Sequence, residues 1–150
     1  MAGTVYPVFN NKFKIKIGGE ATPIAEVESF GVAIDGNTEE WKPFEDEGWT
    51  KRLVTGKSLT VSIKGKRCVG DPGNDYVAGL AFKTGVDCNS EMEWEMPSGA
   101  KLNIPCVISV TNPGGGDSTA VDGLEFDALS NGKPTFTPAP TAARTVAAKA

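Results

Sequence analysis

One short stretch of this chain has the marks of a helix, and that constrains everything around it. In GKRCVGDPGNDYVAGLAFKTG, residues 65–85, Asp71 is a good N-cap, and Pro72 suits the first helical position, where a missing N–H costs nothing. Tyr76, Val77, Leu80 and Ala81 recur at helical spacing, and Gly85 can take the left-handed conformation that ends a helix. The spacing predicts a helix over 72–84. Gly73 and Gly79 weaken it, so its helicity must come from docking on something larger. Everything else reads as strand or loop, so the larger body is a sheet. The expected fold class is mainly β: a β-sandwich or barrel of two packed sheets with one flanking helix.

The strands follow from period-2 alternation. Phe13, Ile15 and Ile17 alternate with Lys12, Lys14 and Lys16, giving a strand with one cationic face. Residues 24–34 form a second extended segment. Residues 50–55 and 58–66 read as two strands turning at Gly56-Lys57, with Leu59, Val61 and Ile63 on one face. Met92, Trp94 and Met96 alternate with Glu91, Glu93 and Glu95. Leu102, Ile104, Cys106, Ile108 and Val110 mark the best-patterned strand, and Pro105 on its other face predicts an edge position or a bulge. Residues 121–129 and 134–137, joined by Asn131-Gly132, close the sheet. Residues 1–138 are expected to form one domain, and the Ala/Thr/Pro-rich 139–150 a flexible tail.

Histidine is absent from the chain, which removes Ser-His-Asp and Cys-His catalysis together with the commonest metal ligand. Gly56-Lys57-Ser58 looks like the end of a phosphate-binding loop, but Lys51 stands where that motif needs glycine, and strands flank it on both sides. The triple glycine 114–116 precedes no helix and reads as a plain loop. Cys68, Cys88 and Cys106 are odd in number and lack metal-ligand spacing, so reduced, mostly buried thiols are expected. Glu91, Glu93 and Glu95 could serve acid/base or metal chemistry. A strand face turned to solvent explains them more simply, although like charges in a row repel unless something uses them. The lysine row has the same simple reading, with edge protection as a further role. No catalytic residue, metal or cofactor is expected.

Fifteen Lys and Arg against nineteen Asp and Glu give a net charge of −4, which argues against a sequence-reading nucleic-acid binder. No apolar run approaches the ~20 residues of a membrane span. The first residues lack the apolar centre of a signal peptide, predicting cytoplasmic synthesis and no membrane partner.

The segment 35–49, DGNTEEWKPFEDEGW, is the anomaly. It opens on the turn signal Asp35-Gly36-Asn37, lacks strand alternation and predicts a long loop. It sets Asp35, Glu39, Glu40, Glu45, Asp46 and Glu47 against Lys42 alone, and places Trp41, Phe44 and Trp49 among them. Such aromatics either tuck beneath the loop as a satellite core or anchor a partner.

The order of a short strand, VESFGVAIDGNTEEW, a long loop, WTKRLVTGKSLTVSIKGKR, a helix at GNDYVAGL and a closing GLEFDALSNGKPTFTP resembles the major tail tube proteins of tailed bacteriophages. The resemblance covers residues 10–138. It implies a non-enzymatic virion protein, a β-sandwich flanked by a helix, that assembles into hexameric rings stacked as a hollow tube for DNA ejection. The loop 35–49 would then reach neighbouring subunits or rings, making Glu39, Glu40, Trp41, Phe44 and Trp49 interface residues. Implied partners are copies of the chain itself, tape measure and tail terminator or baseplate proteins, and DNA passing without specific binding. The implied location is the virion tail, after assembly in the host cytoplasm.

A lumen that DNA must slide past should carry no net positive charge. Glu26 with Glu28 is the favoured lumen row, with Glu125 and Asp127, or Glu91, Glu93 and Glu95, as the others. The alternatives are a carbohydrate- or ligand-binding β-sandwich module and a tube protein like that of type VI secretion.

Overall fold

Alternation puts Phe13, Ile15, Val61, Ile63, Met92, Ile104, Cys106, Ile108, Leu124, Phe126 and Ala128 on one sheet face, and all are buried there. The computed structural model describes residues 3–139. Its strands are β1 (Lys12–Ile17), β2 (Glu20–Pro23), β3 (Val27–Trp41), β4 (Lys51–Lys66), β5 (Asn89–Glu95), β6 (Lys101–Asn112), β7 (Gly123–Ser130) and β8 (Thr135–Thr137). They pair antiparallel in the order β2-β1-β5-β6-β7-β4-β3, and β8 lies against the start of β6. The helix α1 (Pro72–Ala78) is the one α-helix among the described residues. The predicted tail lies outside the described residues from 140 onward.

β1 and β3 stand far apart in this order, yet their side chains meet. Phe13 packs edge to face on Phe30 at 4.7 Å, and Trp94 of β5 stacks on Phe13 at 6.1 Å. The sheet therefore curls until its two halves enclose one core. The mainly β architecture with a single helix is as expected, and the two expected layers are halves of one hydrogen-bonded sheet. The continuity runs through β6, whose Pro105 sits where its neighbour on one side changes from β8 to β7. A residue's N–H and C=O point to the same side of a strand. The Pro105 carbonyl accepts from Asn131 N–H at 2.8 Å, so the missing N–H falls in the gap between those two strands. Pro105 is therefore in a central strand, not at the predicted edge or bulge.

The helix is shorter than the predicted 72–84 and ends at Ala78. Gly79 caps it, and the following N–H groups of Leu80 and Ala81 bond three residues back, to Val77 at 3.0 Å and Ala78 at 3.2 Å. Glycine loses more freedom in a helix than any other residue, so tighter turns take over there while Leu80 still reaches the core.

A polar hub docks the helix. Asp71 Oδ2 accepts from Asn74 N–H at 3.0 Å as the predicted N-cap, and also from Ala25 N–H at 3.1 Å. Asn74 is fully buried; its Oδ1 accepts from Arg67 at 2.8 Å and Cys68 N–H at 3.0 Å. Its Nδ2 donates to the Lys66 and Ala25 carbonyls. Backbones approach closely here, since a Cβ at Gly73 would collide with the Pro23 carbonyl and one at Gly65 with that of Glu26. Gly73 weakens the helix in isolation and is what lets it dock.

Candidate functional site

β4 pairs with β7 only from Thr60 to Lys66, whereas β3 and β4 stay paired to Trp41 and Lys51. From Ile34 and Leu59 outward the two strands run alone, as an arm about 25 Å long at ~3.4 Å per residue. The expected loop 35–49 is thus corrected: its first seven residues belong to β3, and only 42–50 connect the strands. The expected strands 50–55 and 58–66 are likewise one strand, β4, running straight through Gly56-Lys57. Asp35-Gly36-Asn37 imitates a turn, but opposite it Ser58, Lys57 and Gly56 continue the ladder. A bulge follows, with Thr55 of β4 the extra residue opposite the step from Asn37 to Thr38. Thr55 pins that bulge, accepting from Asn37 Nδ2 at 2.7 Å.

The arm gathers the five residues expected at an interface. Glu39 and Glu40 lie on opposite faces of β3, with Glu40 facing Arg52 in register at 3.5 Å. Trp41 ends β3 opposite Lys51, which pairs with Asp46 at 3.5 Å. Beyond it, Pro43 leads a single 3-10 turn, Phe44–Asp46, followed by Glu47 and Gly48 at positive φ. Phe44 is 99% exposed and Trp49 80%. Among the described residues nothing covers these two, so the satellite-core reading does not hold for them there.

The remaining charged rows differ in how their own chain engages them. β1 and β5 run antiparallel with Lys12 opposite Glu95 and Lys14 opposite Glu93. The cationic and acidic rows thus face each other as a ladder: Lys16 to Glu91 at 3.2 Å, and Lys14 to Glu93 at 3.9 Å and Glu95 at 3.8 Å. A hydrogen bond from Asn103, then Lys16, holds the Glu91 carboxyl below its ordinary 4.5. Glu125 and Asp127 lie on the outer face of β7, between buried Leu124, Phe126 and Ala128. Glu26 and Glu28 are not the strand pair expected. Glu26 occupies a turn at φ 63°, where its carbonyl meets Lys66 N–H, and Glu28 is bulged between Val27 and Ser29 and pairs with Lys66 at 3.1 Å.

Other chemistry is sparse. Burial pushes the Cys106 thiol up to about 12, which makes it a poor nucleophile. No group of three or more His, Cys, Asp or Glu residues stands together among the described residues to hold a metal. The sequence reading missed Asn74, although a residue that disfavours helix interiors, placed in the first helical turn, was a signal.

No family model and no curated protein matches the chain. Solved structures do. Over 89% of this chain and all of the other, it superposes with a TM-score of 0.73 at 18% identity on a protein of the C6-symmetric tail of an empty gene transfer agent particle. The fold is that of phage-like tail proteins. A chain of the native gene transfer agent virion matches with a TM-score of 0.69 at 17% identity, covering 89% of this chain and all of that one. A chain from the sheath/tube terminator of an extracellular contractile injection system matches at 0.60 and 13%, over 92% of this chain and all of the other.

Proposed function

We propose that this chain is a structural subunit of a phage-type tail tube. It assembles with copies of itself into hexameric rings that stack head to tail as the conduit for DNA, in a tail completed by tape measure and terminator or baseplate proteins. The arm carries this reading. Aromatic side chains held some 25 Å from the core on a two-stranded ribbon contribute nothing to the fold, and exposed apolar groups rimmed by charge mark interaction sites. The likeness to a C6-symmetric tail supports the ring. Head-to-tail contacts close into a ring when their rotation divides the circle, and a second contact set stacks rings. The free edge of the 15-residue β3 offers backbone groups for such a contact.

We place the bore against the outer face of β7, β4 and β3. Ser29, Gly31, Ala33, Thr60 and Ser62 make it small and polar there. Glu125 and Asp127 make it acidic, with Glu26 and Glu28 at the end away from the arm, and Lys64 is engaged by Glu125 at 3.9 Å. Such a lining gives DNA little to bind.

Sedimentation and negative-stain microscopy across a concentration series test the reading, with rings or tubes expected. A strictly monomeric species at every concentration would overturn it. The terminator likeness supports a second position, at the end of a tube. Rings that form but never stack would favour that position.

A further inference from the structure

The tip of the arm carries a surface its own chain leaves unmatched. Arg52 takes Glu40 and Lys51 takes Asp46, so Glu39, Glu45 and Glu47 remain without a cation within 4 Å among the described residues. Among the described residues Lys42 is the one cation of the tip without an ion pair, and Phe44 and Trp49 stand exposed nearby. The complement lies at the arm's other end. There a cleft of about 640 Å³ has apolar walls from Ile34, Leu59, Leu102 and Pro134, with Lys57 and Lys133 in its lining and no acidic residue. Neither lysine has an ion pair among the described residues. Its volume falls within the ~300–1,000 Å³ of clefts that hold ligands.

An arm cannot fill the cleft of its own chain. Ile34, Lys57 and Leu59 are the arm's base, and about 25 Å of paired strand separates them from Trp41. The matching occupant is therefore the tip of a second copy.

We propose that the acidic, aromatic tip of one copy docks into the Lys57/Lys133 cleft of another. Phe44 enters between Leu59, Leu102 and Pro134, while Glu45 and Glu47 meet the two lysines. The aromatic burial supplies affinity, and the charges supply register and salt sensitivity. Donor and acceptor are different patches, so the contact propagates from copy to copy without closing on a pair. This docking rests on the tube reading and specifies its inter-subunit contact.

Charge exchange tests it on the full chain. E45K with E47K, and separately K57E with K133E, should each raise the concentration needed for polymer formation roughly tenfold or more. The chain carrying all four changes should return to near the wild-type value. Circular dichroism should be unchanged throughout, because all four positions are exposed. Carbodiimide treatment of wild-type polymer should join Glu45 or Glu47 to Lys57 or Lys133 between copies, as read by mass spectrometry. If wild-type tubes form but the fourfold variant is no better than either double, or the crosslinks join other residues, the docking is wrong and the tube reading stands. If the wild type never polymerises, both fall.

Discussion

Among the described residues Asn74 is the one fully buried polar side chain, and its four hydrogen bonds join α1 to the end of β4 and the β2–β3 turn. Asn74→Ala removes the partners that its side chain gives to the Cys68 N–H and to the Lys66 and Ala25 carbonyls at a fully buried position. A loss of about 3 kcal/mol is expected, and a melting temperature lower by ~6–12 °C. Calorimetry that found a change under a degree would show the hub to be dispensable. Glu91 answers to pH instead. Its folded carboxyl titrates below the ordinary 4.5, so its contribution is present above that value and is lost as pH falls through the folded pKa. Glu91→Gln should therefore lower stability slightly at pH 7, the pair being a surface one, while the two proteins converge as pH falls below about 4.5, so the variant's acid limb is shallower. An identical acid limb in both proteins would remove the ladder from the account.

At the scale of elements, the arm separates what the residues announce from what they conceal. Strands of the body are legible because each buries one face, so Leu59, Val61 and Ile63 or Ile104, Cys106 and Ile108 alternate with polar residues. Among the described residues nothing buries either face of the arm, so no alternation marks it, and Gly36, Asn37 and Gly56 speak for turns. The lysine and glutamate rows were each visible, but their pairing depends on a β1–β5 register between segments almost eighty residues apart. The tip aromatics were visible as well, and only the fold says what they touch. Changing Trp41 and Phe44 together to alanine should move stability by no more than ~0.5–1 kcal/mol, since Phe44 is almost wholly exposed and Trp41 half-exposed. Association should weaken by ~2–4 kcal/mol. The paired measurement is thermal melting beside polymer yield, and an unfolded variant would return these residues to the body's own core.

For the whole molecule, the curled sheet presents two unlike outer surfaces. The β1–β5 side carries opposed charges that satisfy one another, while the β7–β4–β3 side is small, polar and acidic. Only the second suits a wall that a polyanion slides along. Glu125→Lys with Asp127→Lys shifts the charge by two units at each position, in every copy. Tails should still assemble, while DNA release slows and gains a steeper dependence on salt. Microscopy of the tails alongside release rates at two salt concentrations gives the answer, and normal release from normal tails would turn this face away from the bore.

The arm, a ribbon of two strands with no third beside it among the described residues, also has a mechanical meaning. Two-stranded hairpins are only marginally stable alone and twist more than wide sheets do. Along its length the ribbon is held by backbone ladders; across its thickness none of the described residues braces it. It is a leaf spring. In the proposed stack, curvature would be taken up at such joints while each curled body kept its shape, letting a long conduit flex without its wall parting.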